Sequence, residues 1–206
     1  MTKGIFTTEL DQDLISKAAK RGLLVTQGNE PRIAYEQTLI AGHGVDVPWD
    51  LLDSGFQFLE RWDVAAPLWR YGVLAKDVGT TDERKRTEAV TLDLRIPLYA
   101  PELLFIRQSE AAGQFLECWR QECEGGANER LAFLRALCMV KPLFLALPRS
   151  WLKEGTGRAE VPRRPVGGMT KLVNVEIAPN RYVCCRPEEA EMYRQRFAEQ
   201  RGGRRC

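Results

Sequence analysis

His43 is the single histidine of the chain and stands between two glycines, Gly42 and Gly44. Asp46 follows it closely and Asp50 opens the next segment. An imidazole beside carboxylates can coordinate a cation or move a proton, and flanking glycines let a ligand approach the backbone. The same residues also suit a plain turn, with Asp46 or Asp50 capping the helix that follows. Both readings stay open on spacing alone.

Three other groups carry chemical potential. Arg163-Arg164 and Arg204-Arg205, with Arg194, Arg196 and Arg201, could clamp phosphate oxygens in bidentate fashion, or form a solvated tail. Among the five tryptophans, Trp69 (beside Arg70 and Tyr71) and Trp151 lie at element ends, where α/β proteins build sites; the others read as core. Cys118 and Cys123 have half of a zinc spacing, but the adjacent Cys184-Cys185 makes a poor second half. Reduced thiols are the expectation. No nucleophile elbow, P-loop, GxGxxG or HExxH occurs.

The elements that must position these residues follow from period and punctuation. Gly4–Thr7 and Leu23–Thr26 read as strands around a helix at Asp11–Lys20. Ile33–Ile40 is strand or short helix. Ala41–Pro48 is a glycine-bearing loop, followed by a helix through Trp62 and a strand at Asp63–Ala66. Gly79–Glu88 reads as a charged surface loop. Ala89–Ile96 alternates with period two and predicts a strand. Leu103–Ile106 is continuously apolar, as in a strand covered on both faces. Ser109 caps a helix to Glu124, Asn128 starts another through Val140, and Leu143–Leu147 is a buried strand. Lys171–Ile177 predicts a further strand and Pro187–Arg201 a polar helix. Strands alternating with helices make this an α/β protein: a mixed sheet with flanking helices over 1–152, plus a basic C-terminal extension over 153–206.

The 206 residues are 44% hydrophobic and 28% charged, which excludes a disordered, collagen-like or coiled-coil chain. Net charge is +2, so charge alone does not mark a nucleic-acid binder. From Trp151 onward, however, 12 lysines and arginines face 7 aspartates and glutamates. A basic tail of that kind suits nucleic acid or an acidic protein partner. Met1–Leu10 has no leader-like apolar stretch, and Leu131–Leu147 is broken by Arg135, Lys141 and Pro142. No membrane span and a cytoplasmic location are expected.

Several segments, taken in order, resemble nucleotide-diphospho-sugar glycosyltransferases of the GT-A type. Pro48–Ala66 (PWDLLDSGFQFLERWDVAA) is similar to the helix and strand that follow their metal-binding loop. Leu98–Arg107 (LYAPELLFIR) is similar to their "lNtGvllfR" strand, and Ala111–Glu122 to the helix after it. Asn128-Glu129 stands where that family has Asp-Gln, and Leu147–Trp151 (LPRSW) resembles its "LPpeWN". The match in order and spacing runs from about Leu39 to Leu152.

The resemblance implies a nucleotide-sugar as ligand and transfer of a glycosyl unit. It places His43, Asp46 and Asp50 near the diphosphate, and Asn128 and Glu129 near the sugar or acceptor. Trp151 would line the binding region, and Arg163 or Arg164 would offset leaving-group charge. Two departures qualify it. The Asp-x-Asp pair that would hold a divalent cation is replaced by Ala41-Gly42-His43-Gly44, and the Asn-Thr-Gly by Ala100-Pro101-Glu102. The expectation is therefore a metal-independent or degenerate member with no defined cofactor. The alternative is a non-catalytic interaction protein that works through its basic tail.

Overall fold

The computed structural model describes residues 1–154, 173–178 and 181–185. The chain divides into two compact units, Met1–Arg158 and Ala159–Cys206. In the first, the short apolar runs become strands: β1 (Lys3–Thr7), β2 (Leu24–Gln27), β3 (Gln37–Ala41), β4 (Val45–Asp46), β5 (Val64–Pro67), β6 (Leu103–Arg107), β7 (Phe144–Leu147) and β8 (Lys153–Glu154). Six of them form one sheet in the order β2-β1-β3-β6-β5-β7, while β4 pairs with β8. β1 lies parallel to both β2 and β3, and β5 is parallel to β7. Only β6 runs against its neighbours. The expected mixed sheet is therefore present, and the carboxyl ends of five strands share one edge with the entrance to β6.

The helices are α1 (Gln12–Lys20), α2 (Leu52–Phe58), α3 (Thr81–Thr91), α4 (Glu110–Cys123) and α5 (Glu129–Val140). Alternation along β6 splits the core in two, because successive side chains point to opposite faces. Leu103 and Phe105 join Ile5, Leu39 and Ala65 beneath α1 and α2. Leu104 and Ile106 join Phe6, Ile40 and Val64 beneath α4 and α5. A third cluster, around Ala75, Leu98, Leu131 and Leu134, takes Leu94 and Ile96 at its margin. Three helices start where their caps predict: the side chains of Asp11, Ser109 and Asn128 each accept a hydrogen bond from a first-turn N–H.

Local readings differ from the structure in two places: β7, read as a buried strand, lies at the sheet edge with only Leu147 buried and Leu143 exposed, and Gly79–Ile96 folds differently. The charged segment at Gly79–Glu88 is not a surface loop but mostly the start of α3, and Ala89–Ile96 is not a strand. Thr80 and Glu83 form a reciprocal capping box that closes the amino end of α3. Leu92 then takes a left-handed conformation (φ 64°) and ends it, pointing an 86% exposed side chain outward. What holds so polar a helix is tertiary. Thr87 is fully buried and accepts a hydrogen bond from the equally buried Arg135 of α5 at 2.9 Å. Arg135 also pairs with Glu122 of α4, which ties three helices together. The ambiguous Ile33–Ile40 resolves as an extended approach to β3.

In the second unit β9 (Val173–Ala178) and β10 (Arg181–Cys185) pair antiparallel, with a register shift between Arg181 and Tyr182. Arg163, Arg164 and the helix expected at Pro187–Arg201 lie outside the described residues. Among the described residues no helix is long and apolar enough to cross a membrane.

Candidate functional site

β1 is the strand at which the chain changes direction across the sheet. The connection to β2 runs through α1, whose Ala18 and Leu14 pack on the first face. The return from β2 to β3 covers the opposite face, where Ile33 and Ala34 pack near Phe6. Two connections leaving on opposite faces make the carboxyl ends of β1 and β3 a topological switch point, the position at which open α/β sheets bind ligands. The residues at that switch point are Thr8-Glu9 after β1 and Gly42-His43-Gly44 after β3.

There the imidazole Nδ1 of His43 meets the carboxylate of Glu9, 34 residues away. Both side chains keep most of their surface in solvent, so the contact contributes little to stability and both groups remain accessible to a ligand. Gly44 holds a left-handed conformation (φ 66°), which lets the chain turn back at the rim.

A second group of residues adjoins this one through Gly42. The N–H of Gly42 donates to the carbonyl of Glu102 at 2.8 Å, and a Cβ on Gly42 would just touch the Glu102 backbone. The Glu102 carboxylate pairs with Arg130 of α5, and each keeps only about a fifth of its side chain exposed (18% and 19%). The Arg130 guanidinium lies over the Trp69 ring, 4.1 Å from its centroid. Arg70 lies over the same ring at 4.8 Å, and Arg149 Nε donates to the Trp69 carbonyl at 3.1 Å. The second oxygen of Glu102 and the Nε of Arg130 are buried without a hydrogen-bond partner.

Helix ends shape the electrostatics. α1 and α5 both begin at this edge, and the positive ends of their dipoles point to it, although the Asp11 and Asn128 side chains already take first-turn N–H groups. Partial desolvation of its carboxyl at the exposed start of α5, and then the like charge of Glu102, push Glu129 upward from the ordinary carboxylate range, against the pull of Arg130. A carboxyl held in that way binds protons more readily than a free one and suits general-base work.

The residues expected from sequence separate into groups. His43 lies at the switch point, against Glu9. Asp46 is exposed in β4, and Asp50 is exposed ahead of α2. Asn128 caps α5 through its side chain, while its N–H is taken by Glu83. Glu129 stands beside Glu102 and Arg130. Trp151 is 6% exposed and packs edge-on against Phe105 at 5.6 Å, so its ring belongs to the core of the first face. Glu9 and Arg130 were not evident from sequence. The polar run Thr7-Thr8-Glu9 immediately after a buried strand was a signal for the first, and the position next to Glu129 for the second.

A hard divalent cation needs several oxygen ligands. His43 and Glu9 supply one carboxylate and one imidazole, and among the described residues no group of three or more metal-binding side chains occurs. The residues present do not fit the cation that the Asp-x-Asp loop would hold. Cys118, Cys123 and Cys138 are free thiols.

No protein-family model matches the chain, and no curated protein matches it. A solved structure with a remote likeness comes from Desulfovibrio desulfuricans G20 and is provisionally named a nucleotide-diphospho-sugar transferase. It is 15% identical, with a TM-score of 0.36, over 70% of this chain and 58% of that one. The chain thus spans little more than half the length of that neighbour.

Proposed function

We propose that the protein binds a nucleotide-diphospho-sugar along the carboxyl edge of its sheet, without a divalent cation, in the manner of a glycosyltransferase. The observation that carries this is the topological switch point at β1 and β3, with the His43–Glu9 contact at it and the Glu102–Arg130 pair beside it. Its position is the one open α/β sheets use for nucleotides. The resemblance along Leu39–Leu152 supplies the ligand class.

In this reading the diphosphate faces the amino ends of α1 and α5 and the Arg130 guanidinium, and these offset its charge where no metal does. Asp46 and Asp50, as exposed carboxylates, would contact hydroxyl groups rather than phosphate. Asn128 would act by fixing the start of α5. Glu129 would accept the proton of an acceptor hydroxyl as its oxygen bonds to the anomeric carbon and the nucleoside diphosphate departs. Arg163 and Arg164 remain candidates for a further contact to that leaving group.

Thermal unfolding with a panel of UDP- and GDP-sugars, each with and without Mn²⁺, tests the reading. A ligand at about a hundred times its Kd adds about 2.7 kcal/mol, or roughly 5–10 °C for a chain of this size. The expected result is such a shift with at least one nucleotide-sugar, unchanged by Mn²⁺. No shift with any of them overturns the reading, and a shift that requires Mn²⁺ overturns its metal-free form.

A further inference from the structure

The proposed donor site accounts for the edge over β1, β3 and β6 but leaves unused a cluster beyond β5 and β7. β5 and β7 lie on the far side of β6 from β3, so at about 4.8 Å per strand the loops that follow them begin roughly 10 and 14 Å from the end of β3. The loop after β5 carries Trp69, Arg70 and Tyr71, and the turn after β7 carries Arg149 and Ser150. Tyr71, Arg149, Ser150 and Leu152 line an open concavity of about 380 Å³.

Two guanidinium groups, from Arg70 and Arg130, sit over the one indole of Trp69, and a third, from Arg149, is hydrogen-bonded to its carbonyl. Glu102 answers Arg130, and the Arg70 charge is additional to that pair. Arg130 has that carboxylate, whereas Arg70 is exposed and forms no ion pair among the described residues. Contact with the indole holds the Arg70 guanidinium near the ring while the side chain stays exposed, so its N–H donors are open to a ligand. Next to it, Tyr71 is 62% exposed, a large aromatic face in solvent. The Ser150 hydroxyl is exposed and the Leu152 side chain is half-buried, which adds one polar and one apolar contact.

We propose that this cluster is a second ligand site, for a ring compound that carries a phosphate group, and that it receives the acceptor of the reaction. The Arg70 fork holds the phosphate in bidentate fashion, and the ring lies against Tyr71 over the concavity. The spacing suits the assignment: a donor at β1 and β3 and an acceptor at β5 and β7 meet at Glu102 and Glu129. The acceptor role rests on the proposed donor site, but binding of the phosphorylated ring does not.

Isothermal titration of the full chain with glucose 6-phosphate, glucose and inorganic phosphate separates the contributions, and each titration is repeated on Arg70→Ala and Arg70→Lys. Arg70 is exposed and forms no ion pair among the described residues, so both variants should retain the fold, which circular dichroism checks. The expected result is that glucose 6-phosphate binds more tightly than either glucose or phosphate alone. Arg70→Ala should weaken it by about tenfold or more, the worth of one charged hydrogen-bonding partner. Arg70→Lys should recover only part of the loss, because an ammonium lacks the fork. The nucleotide-sugar thermal shift stays as in the wild type in both variants. Equal affinity in Arg70→Ala, or binding of phosphate alone as tight as that of the sugar phosphate, overturns the proposal. Loss of the nucleotide-sugar shift in Arg70→Ala overturns the separation of the two sites. A wild-type chain that binds glucose 6-phosphate but no nucleotide-sugar leaves the second site standing and refutes the donor reading.

Discussion

Replacing Glu102 by glutamine keeps the shape of the side chain and removes its charge. The variant therefore isolates what the carboxylate does for Arg130. In the wild type that carboxylate answers a guanidinium with 19% of its side-chain surface exposed, whose Nε has no partner. Removing one member of a fully buried pair costs about 3–5 kcal/mol, since the other charge is left uncompensated. Here both members reach solvent with about a fifth of their surface, and Trp69 still screens one face of Arg130. The cost should fall to roughly 2–3 kcal/mol, between the buried and exposed limits. Urea unfolding at pH 7 measures it, and a double-mutant cycle with Arg130→Gln should return a coupling energy above about 1.5 kcal/mol. A second readout follows from the neighbouring carboxyl. Because Glu102 is one cause of the upward shift at Glu129, the variant should lower the Glu129 pKa, as carboxyl chemical shifts would report. A stability change below about 0.5 kcal/mol, or a Glu129 titration that does not move, would refute the claim that this pair is desolvated and electrostatically tied to the site.

Two further predictions concern what holds the sheet in place. Asp63, 6% exposed, accepts hydrogen bonds from Arg107, Ser109 and the Leu143 N–H. Burial alone would raise its pKa, but the bonds from Leu143, Ser109 and Arg107 outweigh it and hold the carboxyl below the ordinary Asp value. Its ionised form therefore stabilises the fold above the unfolded pKa, near 3.9, and this contribution is lost as pH falls through the lower folded value. Asp63→Asn should cost about 2–4 kcal/mol at pH 7, and denaturant titrations should show the gap closing only below about pH 4; a gap constant down to pH 2 would contradict it. In α2, a Cβ on Gly55 would collide with the Phe105 ring. Gly55→Ala should therefore destabilise by about 1–3 kcal/mol in urea despite the better helix propensity of alanine, and a stabilised variant would show that the α2–β6 contact is loose.

Much of the fold was legible because its signals are local. A short apolar run bounded by turn residues, as at β1 and β6, and a polar cap ahead of a helix, as at Asp11, Ser109 and Asn128, depend on neighbours within a few positions. The same locality explains the misreading at Gly79–Ile96. The alternation of Val90, Leu92, Leu94 and Ile96 imitates a strand, whereas the Thr80–Glu83 capping box, also present in the sequence, marks the helix that forms. The choice between them lies in Arg135 and Glu122, whose buried charges require Thr87 to face α5.

The candidate site divides in the same way. The sequence by itself marked His43 through its glycines and drew attention to Trp69, Arg70 and Glu129. It could not pair His43 with Glu9, or bring Glu102 and Trp69 to Arg130, because those meetings depend on which strands lie side by side. Strand order is decided by burying both faces of β3 and β6 under helices from distant parts of the chain, and only that burial places the loops after β1, β3, β5 and β7 along one edge.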